Sequence, residues 1–149
     1  MRFHLQLLGV SWAMLVMLGC GSKESSETSK PLELEGVAPP KTATQPVGVA
    51  YISVYNPNRA PDRLIGASSS WVERIETHET VDRDGVVAME ARPDGFLIRG
   101  RKRFEMKPGG AHLMLIGLKQ ALVEGGELKL QVEFEKSGTQ EMVVAIRDY

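Results

Sequence analysis

The clearest hydrophobic pattern in the chain is a strict alternation of apolar and polar residues near its C-terminal end. In the segment ELKLQVEFE, residues 127–135, the apolar side chains are Leu128, Leu130, Val132 and Phe134. Because successive side chains of a strand point to opposite faces, this pattern predicts a β-strand with one buried face. No helical period of this quality occurs after residue 18.

The rest of the C-terminal two thirds is a series of short apolar segments separated by Gly, Pro, Asn and Asp. Many short strands at close spacing are typical of a β-sandwich or β-barrel. We therefore predict a single all-β domain over residues 47–149, with no helix longer than two turns. Its other predicted strands are 49–56, 63–70, 71–81, 85–91, 95–100, 101–107, 111–118 and 141–149.

The N-terminus has the pattern of an export signal. Arg2 precedes an apolar stretch of 14 residues from Leu5 to Leu18, too short for a membrane-spanning helix of about 20 residues. The stretch ends in MLGC, which resembles a bacterial lipobox, although Met17 stands where leucine is usual. We predict a signal peptide over 1–19, a lipid on Cys20, and a periplasmic, membrane-anchored lipoprotein. The alternative is an ordinary signal peptide in which Cys20 is incidental.

The segment after the lipobox is poor in large apolar residues and rich in Ser, Thr, Pro, Lys and Glu. Such a composition buries too little surface to offset the loss of chain entropy on folding. We interpret residues 20–46 as the lipidated cysteine followed by a flexible tether.

Composition and charge narrow the choice of function. The chain is 42% hydrophobic and 25% charged, with a formal net charge of −1. This balance suits one globular core and gives no bulk electrostatic reason to expect nucleic-acid binding. We predict that Met106 and Met142 are core residues, because each lies in an alternating strand. No G-x-S-x-G nucleophile pattern occurs, and we do not expect an enzyme.

Two histidines of the β domain each have a methionine on the same strand face. His112 and Met114 are two residues apart, so their side chains share a face. His78 and Met89 flank a predicted hairpin with DRDG, residues 82–85, as its loop. A four-residue loop pairs His78 with Met89, whereas a turn made only of Asp84 and Gly85 pairs Met89 with Thr80. The two side chains share a face in either register, but not with a three-residue loop.

In order, the segments AYISVYNPN, DRLIGASSS, IETHETV, VVAM, KPGGAHLMLIGL and QVEFEKSG resemble the periplasmic copper chaperones of the PCu(A)C type. The family pattern is a His, ten residues, a Met, about twenty-one residues, then His-x-Met. Here His78 and Met89 are separated by ten residues, and twenty-two residues precede the HLM of His112 and Met114. The resemblance covers residues 49–138.

The resemblance implies a cupredoxin-like Greek-key barrel that binds one Cu(I) through His78, Met89, His112 and Met114. It also implies a role in supplying copper to the Cu-A centre of cytochrome oxidase, alongside Sco-type proteins. We expect a monomer with no nucleic-acid partner. Some members carry a His- and Met-rich C-terminal tail that binds Cu(II); the sequence ends at Tyr149 without one, so we do not expect a second copper site.

The donor types point independently in the same direction. Thioethers and neutral imidazoles suit Cu(I), whereas a blue-copper centre requires a cysteine thiolate, and the predicted domain has no cysteine. The alternative is a metal-free β-sandwich envelope lipoprotein that binds a protein or polymer, with the His and Met pairs as packing. The two readings differ in whether the four side chains converge at an accessible point.

Overall fold

In a computed structural model that describes residues 29–149, the chain forms ten β-strands and no helix within that range. None of the described residues forms a helix that is long and apolar enough to cross a membrane. The strands are β1 Glu33–Ala38, β2 Val47–Tyr55, β3 Asp62–Ser68, β4 Arg74–Arg83, β5 Val86–Ala91, β6 Phe96–Ile98, β7 Arg103–Glu105, β8 Ala111–Ile116, β9 Glu127–Phe134 and β10 Gly138–Ile146.

The strands hydrogen-bond in the order β5-β4-β8-β2-β1-β10-β9-β3-β6, and β7 also pairs with β2. All pairings are antiparallel except that of β1 with β10. The sheet curves so that β3 lies beside β4, and its inner face surrounds one hydrophobic core. The all-β prediction is therefore confirmed, and each predicted strand is present.

The inner face is made of the residues that the alternation selects. Leu128, Leu130, Val132 and Phe134 are all buried. Met106 and Met142 are also buried in this core, as predicted.

The predicted domain boundary at residue 47 is wrong, because β1 belongs to the middle of the sheet. β1 pairs with both β2 and β10 and contributes Val37 and Ala38 to the buried residues. The sequence reads as a tether here because its apolar side chains are few. Gly36 explains the close packing: a Cβ at this position would lie 3.0 Å from side-chain atoms of both Met142 and Val144. The rest of the predicted tether up to residue 28, with Cys20 and the signal peptide, lies outside the described residues.

The β4–β5 hairpin has the shorter of the two turns considered, so the register that pairs His78 with Met89 is wrong. Arg83 pairs with Val86, which leaves Asp84 and Gly85 as the turn. Both have positive φ, 57° and 84°, as a type I′ turn requires. This turn matches the twist of the two strands, and it places Met89 opposite Thr80. Since Thr80 and His78 are two residues apart on β4, Met89 still lies on the face of His78.

A buried carboxylate joins the loop after β9 to the start of β3. Asp62, which is 4% exposed, accepts hydrogen bonds from the backbone N–H groups of Arg63, Lys136 and Ser137 and from the Ser137 hydroxyl. Burial of the Asp62 carboxyl favours its neutral form, but the hydrogen bonds from Ser137, Lys136 and Arg63 outweigh this effect and hold its pKa below the usual value.

We expect Asp62→Asn to lower the free energy of unfolding at neutral pH by about 1–3 kcal/mol, because an amide N–H₂ cannot accept the hydrogen bonds of Ser137. The carboxylate stabilises the fold fully above its unfolded-state pKa of about 3.9, and this contribution is lost as the pH falls through the lower folded-state pKa. The difference between wild type and variant should therefore shrink in acid. Urea unfolding at neutral and acidic pH measures it, with the exposed Asp94→Asn as the control. A difference independent of pH would contradict this role for the charge.

Candidate metal centre

The outer face of the sheet brings the two histidines of the β domain side by side. On β8, Leu113 and Leu115 point into the core, so His112 and Met114 point the other way. His78 on β4 is directly opposite His112 in the antiparallel register. Their ring centroids are 5.9 Å apart, with 37° between the ring planes.

The tautomer of His112 is set by a backbone carbonyl. His112 Nδ1 lies 3.0 Å from the carbonyl oxygen of Gly110, and a carbonyl can only accept a hydrogen bond. Nδ1 therefore carries the proton, and the lone pair of the neutral ring is on Nε2.

The tautomer of His78 is set by a carboxylate two residues earlier on the same strand. His78 Nε2 lies 3.0 Å from a carboxylate oxygen of Glu76, and Arg74 Nε donates to the other oxygen at 2.7 Å. Hydrogen bonds from Arg74 and His78 hold the pKa of Glu76 below its usual range, so Glu76 accepts from both. The lone pair of neutral His78 is consequently on Nδ1. The adjacent Glu79 faces away and pairs with Arg92 instead.

The two nitrogens that carry the lone pairs are buried and have no hydrogen-bond partner. They are His78 Nδ1 and His112 Nε2, and no other side-chain nitrogen or oxygen of the described residues is left in this state. A buried polar atom without a partner costs about 1–3 kcal/mol, so two on neighbouring rings need an explanation. A metal ion bound by both nitrogens would satisfy them, and the hydrogen bond on the far side of each ring is the usual arrangement for metal-ligating histidines.

The two methionines share this face but differ in exposure. Met114 is half-buried on β8, directly opposite Glu76. Met89 is 63% exposed and lies on β5, which is an edge strand of the sheet. Thus three of the four predicted residues lie together on the adjacent strands β4 and β8, and the fourth lies on the same face at its margin.

Sequence reasoning missed two side chains beside the histidines. Glu76 has a signal in the sequence, since it is two residues before His78 and so shares its face. Tyr51 has none, because it requires β2 to lie next to β8; continuing the register of Ala50 with Leu113 places Tyr51 opposite His112. The ring centroids of Tyr51 and His112 are 6.5 Å apart in an edge-to-face arrangement, and Tyr149 packs edge-to-face on Tyr51 with a centroid distance of 5.1 Å. Burial is the main cause that raises the pKa of Tyr51, and the charge of Tyr149 is the second. The phenol of Tyr51 therefore stays neutral beside His112.

The donor set is unlike that of a zinc or calcium site. Among the described residues, no group of three or more His, Cys, Asp or Glu side chains is placed to hold a metal ion. Structural zinc sites use four Cys or His ligands, and calcium takes six to eight oxygens. Two imidazoles with nearby thioethers fit a soft monovalent ion better.

Solved structures with the same architecture define the class of fold. The copper-bound PCuAC domain from PmoF2 is 22% identical, with a TM-score of 0.67, over 81% of this chain and 96% of that one. The solution structure of CuI-DR1885 from Deinococcus radiodurans is 19% identical, with a TM-score of 0.64, over 85% of each chain. The chain therefore has the PCuAC fold, and the predicted cupredoxin-like architecture is confirmed.

Family comparison gives the narrower assignment. Residues 32–146 match the family described as "Putative lipoprotein LpqE-like", and the chain belongs to this family. A relative described as "Putative lipoprotein Lxx21020", from Leifsonia xyli subsp. xyli, is 28% identical over 94% of this chain and 87% of its own length. The uncharacterized protein RP573 of Rickettsia prowazekii is 32% identical over 62% of this chain and 51% of its own length. The family match begins one residue before β1, in agreement with the corrected domain boundary.

We expect the metal-free protein to hold His112 as the Nδ1–H tautomer and His78 as the Nε2–H tautomer. Nitrogen-15 chemical shifts of the two rings at mildly alkaline pH measure this. Glu76→Ala removes the acceptor of His78 and should produce a mixture of tautomers at that ring alone. His112 is the internal control, because its acceptor is backbone. A single unchanged tautomer of His78 in the variant would show that Glu76 does not orient it.

Proposed function

We propose that this protein is an extracytoplasmic Cu(I)-binding metallochaperone whose ligands are His78, Met89, His112 and Met114. The observation that carries the proposal is the pair of buried, unpartnered imidazole nitrogens on neighbouring strands, with both methionines on the same face. The likeness to copper-bound PCuAC domains supports the choice of metal.

The monovalent state follows from the chemistry of the donors. Neutral imidazole and thioether ligands carry no negative charge, and soft thioethers favour Cu(I) over Zn²⁺ or Mg²⁺. The described residues include no cysteine, so a thiolate-ligated electron-transfer centre does not fit. Protons compete for the imidazole nitrogens in acid, and copper binding should weaken there.

A carrier must release its cargo to a partner, and the position of Met89 favours this role over storage. Met89 is the exposed member of the set and lies on an edge strand. Beyond Thr80, whose N–H still donates to the Gly110 carbonyl, β4 pairs only with β5, so the end of this hairpin is a two-stranded ribbon. Val86 and Val87 on the same ribbon are 68% and 67% exposed. A partner can therefore approach the metal over Met89, whereas His112 is covered.

We propose the Cu-A centre of cytochrome oxidase as the recipient, with Sco-type proteins as partners in its assembly. Carriage requires that bound Cu(I) pass to a metal-free Cu-A domain within seconds to minutes. The competing reading, a metal-free envelope lipoprotein, leaves the two unpartnered nitrogens unexplained.

We expect Met114→Leu to weaken Cu(I) binding by at least about tenfold, because it removes a soft ligand, while changing stability by less than about 1.5 kcal/mol, because leucine conserves volume. Competition titration against a chromophoric Cu(I) chelator measures the affinity. Met106→Leu is the matched control. Met106 is a buried core methionine, so this variant should bind Cu(I) as tightly as the wild-type protein does.

His112→Ala should weaken Cu(I) binding more than Met114→Leu does, because imidazole is the stronger donor. If Met114→Leu bound Cu(I) as tightly as wild type while Met106→Leu did not, the ligand assignment would be wrong. If the wild-type protein failed to bind Cu(I) at all, the metal-free reading would replace the proposal.

We also propose that Cys20 carries the lipid anchor, in line with membership of a family described as lipoproteins. Intact-mass analysis of membrane-extracted protein should show a diacylglycerol increment on the chain that begins at Cys20. Cys20→Ser should abolish both the increment and the membrane fraction. A soluble wild-type protein cleaved at another residue would contradict the proposal.

A further inference from the structure

One end of the domain carries five exposed basic side chains that form no ion pair within the described part of the chain. This basic end consists of Lys30, Arg59, Arg101, Lys102 and Lys136. Four arginines elsewhere are each paired with a glutamate, while other basic residues of the described chain, such as Lys119 and Lys129, are unpaired but lie outside this end; the basic end differs from the rest in that five unpaired side chains are gathered there. The positive charge of the basic end is therefore not compensated by ion pairs.

Direct hydrogen bonds hold the loops of the basic end together. Asn58 exchanges hydrogen bonds with the backbone of Lys30 through its side chain and accepts the N–H of Arg101 at its carbonyl. The Asn56 N–H donates to the Lys102 carbonyl. Gly100 packs so closely against Arg59 that a Cβ there would lie 1.9 Å from the Arg59 carbonyl oxygen. Lys30, Arg59, Arg101 and Lys102 are therefore neighbours on one surface of the domain.

The fifth residue extends this surface over the β9–β10 hairpin. Lys136 Nζ donates to the Pro61 carbonyl at 2.7 Å, and Lys136 and Lys30 line the same surface depression. Glu33 and Glu135 border the surface, so it is basic but not free of acidic groups.

The basic end is also the end at which the chain leads back to its proposed lipid anchor. Ser29 and Lys30 are the first described residues, and Cys20 is nine residues before Ser29. Nine residues span at most about 32 Å whatever their conformation. A lipid on Cys20 would therefore keep this end of the domain close to the bilayer.

We propose that the basic end docks on the anionic phospholipid headgroups of the membrane to which the protein is anchored. Unpaired Lys and Arg side chains that are spread over several loops suit a broad layer of phosphates better than a single ligand, since the depression beside Ser29 collects only Lys30 and Lys136 of the five. Each basic residue near an anionic surface improves partitioning by a factor of about five. This contact is separate from the proposed copper function. It rests on the proposed lipid anchor and would fix how the anchored domain is oriented on the membrane.

Docking in this way would set the height of the metal site. Tyr51, beside His112, is five residues from Asn56 along β2, about 16 Å at 3.3 Å per residue. The sheet face that carries His78 and His112 would then lie roughly along the membrane normal. It would stay open to a partner whose own site projects a similar distance from the membrane.

The test uses the lipid-free chain from residue 20 with Cys20→Ser, which contains every described strand. Its probe is co-sedimentation with vesicles of phosphatidylcholine mixed with phosphatidylglycerol, and with phosphatidylcholine alone. The test variant is Arg59→Glu with Lys102→Glu. The matched control is Lys119→Glu with Lys129→Glu, two exposed lysines outside the basic end that form no ion pair within the described residues. Both double variants change the net charge equally.

We expect the parent chain to bind only the anionic vesicles, and less as salt is added. The Arg59 and Lys102 variant should partition at least about thirtyfold more weakly, and the control should lose much less. Equal loss in both variants would reduce the effect to net charge and overturn the proposal. The proposal would also be overturned if the parent chain did not bind the vesicles, or if the basic-end variant bound them as well as the parent chain does. Since no lipid is attached, failure of the Cys20 anchor and failure of this contact are separate results.

Discussion

The structure of the site depends on the antiparallel register between β4 and β8. That register places His78 opposite His112, and the core fixes it, because Leu113 and Leu115 on β8 are fully buried. Side chains alternate faces with a period of two, so a slip of one residue in β8 would move His112 and Met114 into the core and Leu113 and Leu115 out of it. The energy that holds the two imidazoles together is therefore the burial of apolar side chains on the other face of the sheet.

The orientation of the two imidazole rings is set by nearby hydrogen bonds. Each histidine uses one nitrogen in a hydrogen bond to a group two residues earlier in the chain, Gly110 for His112 and Glu76 for His78. The second nitrogen of each ring has no partner and is a local conflict between burial and hydrogen bonding. Such conflicts are expected where function competes with stability. The burial of the core side chains offsets the free-energy cost of the two unpartnered nitrogens.

Most of the fold and half of the site's architecture follow from local patterns. Alternation predicts the strands of the inner face, and the i, i+2 rule places His112 and Met114 together without further information. β1 could not be predicted this way, because its partner β10 lies about a hundred residues later in the chain and its burial depends on Gly36 rather than on large side chains. Tyr51 was missed for a related reason, since only the long-range pairing of β2 with β8 brings it to His112. The register of the β4–β5 hairpin could not be predicted either, because the sequence allows two turn lengths. The positive φ of Asp84 in the structure decides between them.

The four proposed ligands divide into a fixed part and an exposed part, and this division suits transfer. β8 lies between β4 and β2, so His112 and Met114 have a paired strand on each side. Met89 lies on the edge strand β5, whose hairpin extends beyond the pairing of β4 with β8. A site with all its ligands in the centre of the sheet would bind firmly but offer a partner no ligand to displace. A site built only on the hairpin would lack a defined geometry. With the histidines held by the core-fixed register and one thioether at the margin, an incoming donor atom can replace Met89 while the imidazoles keep their positions.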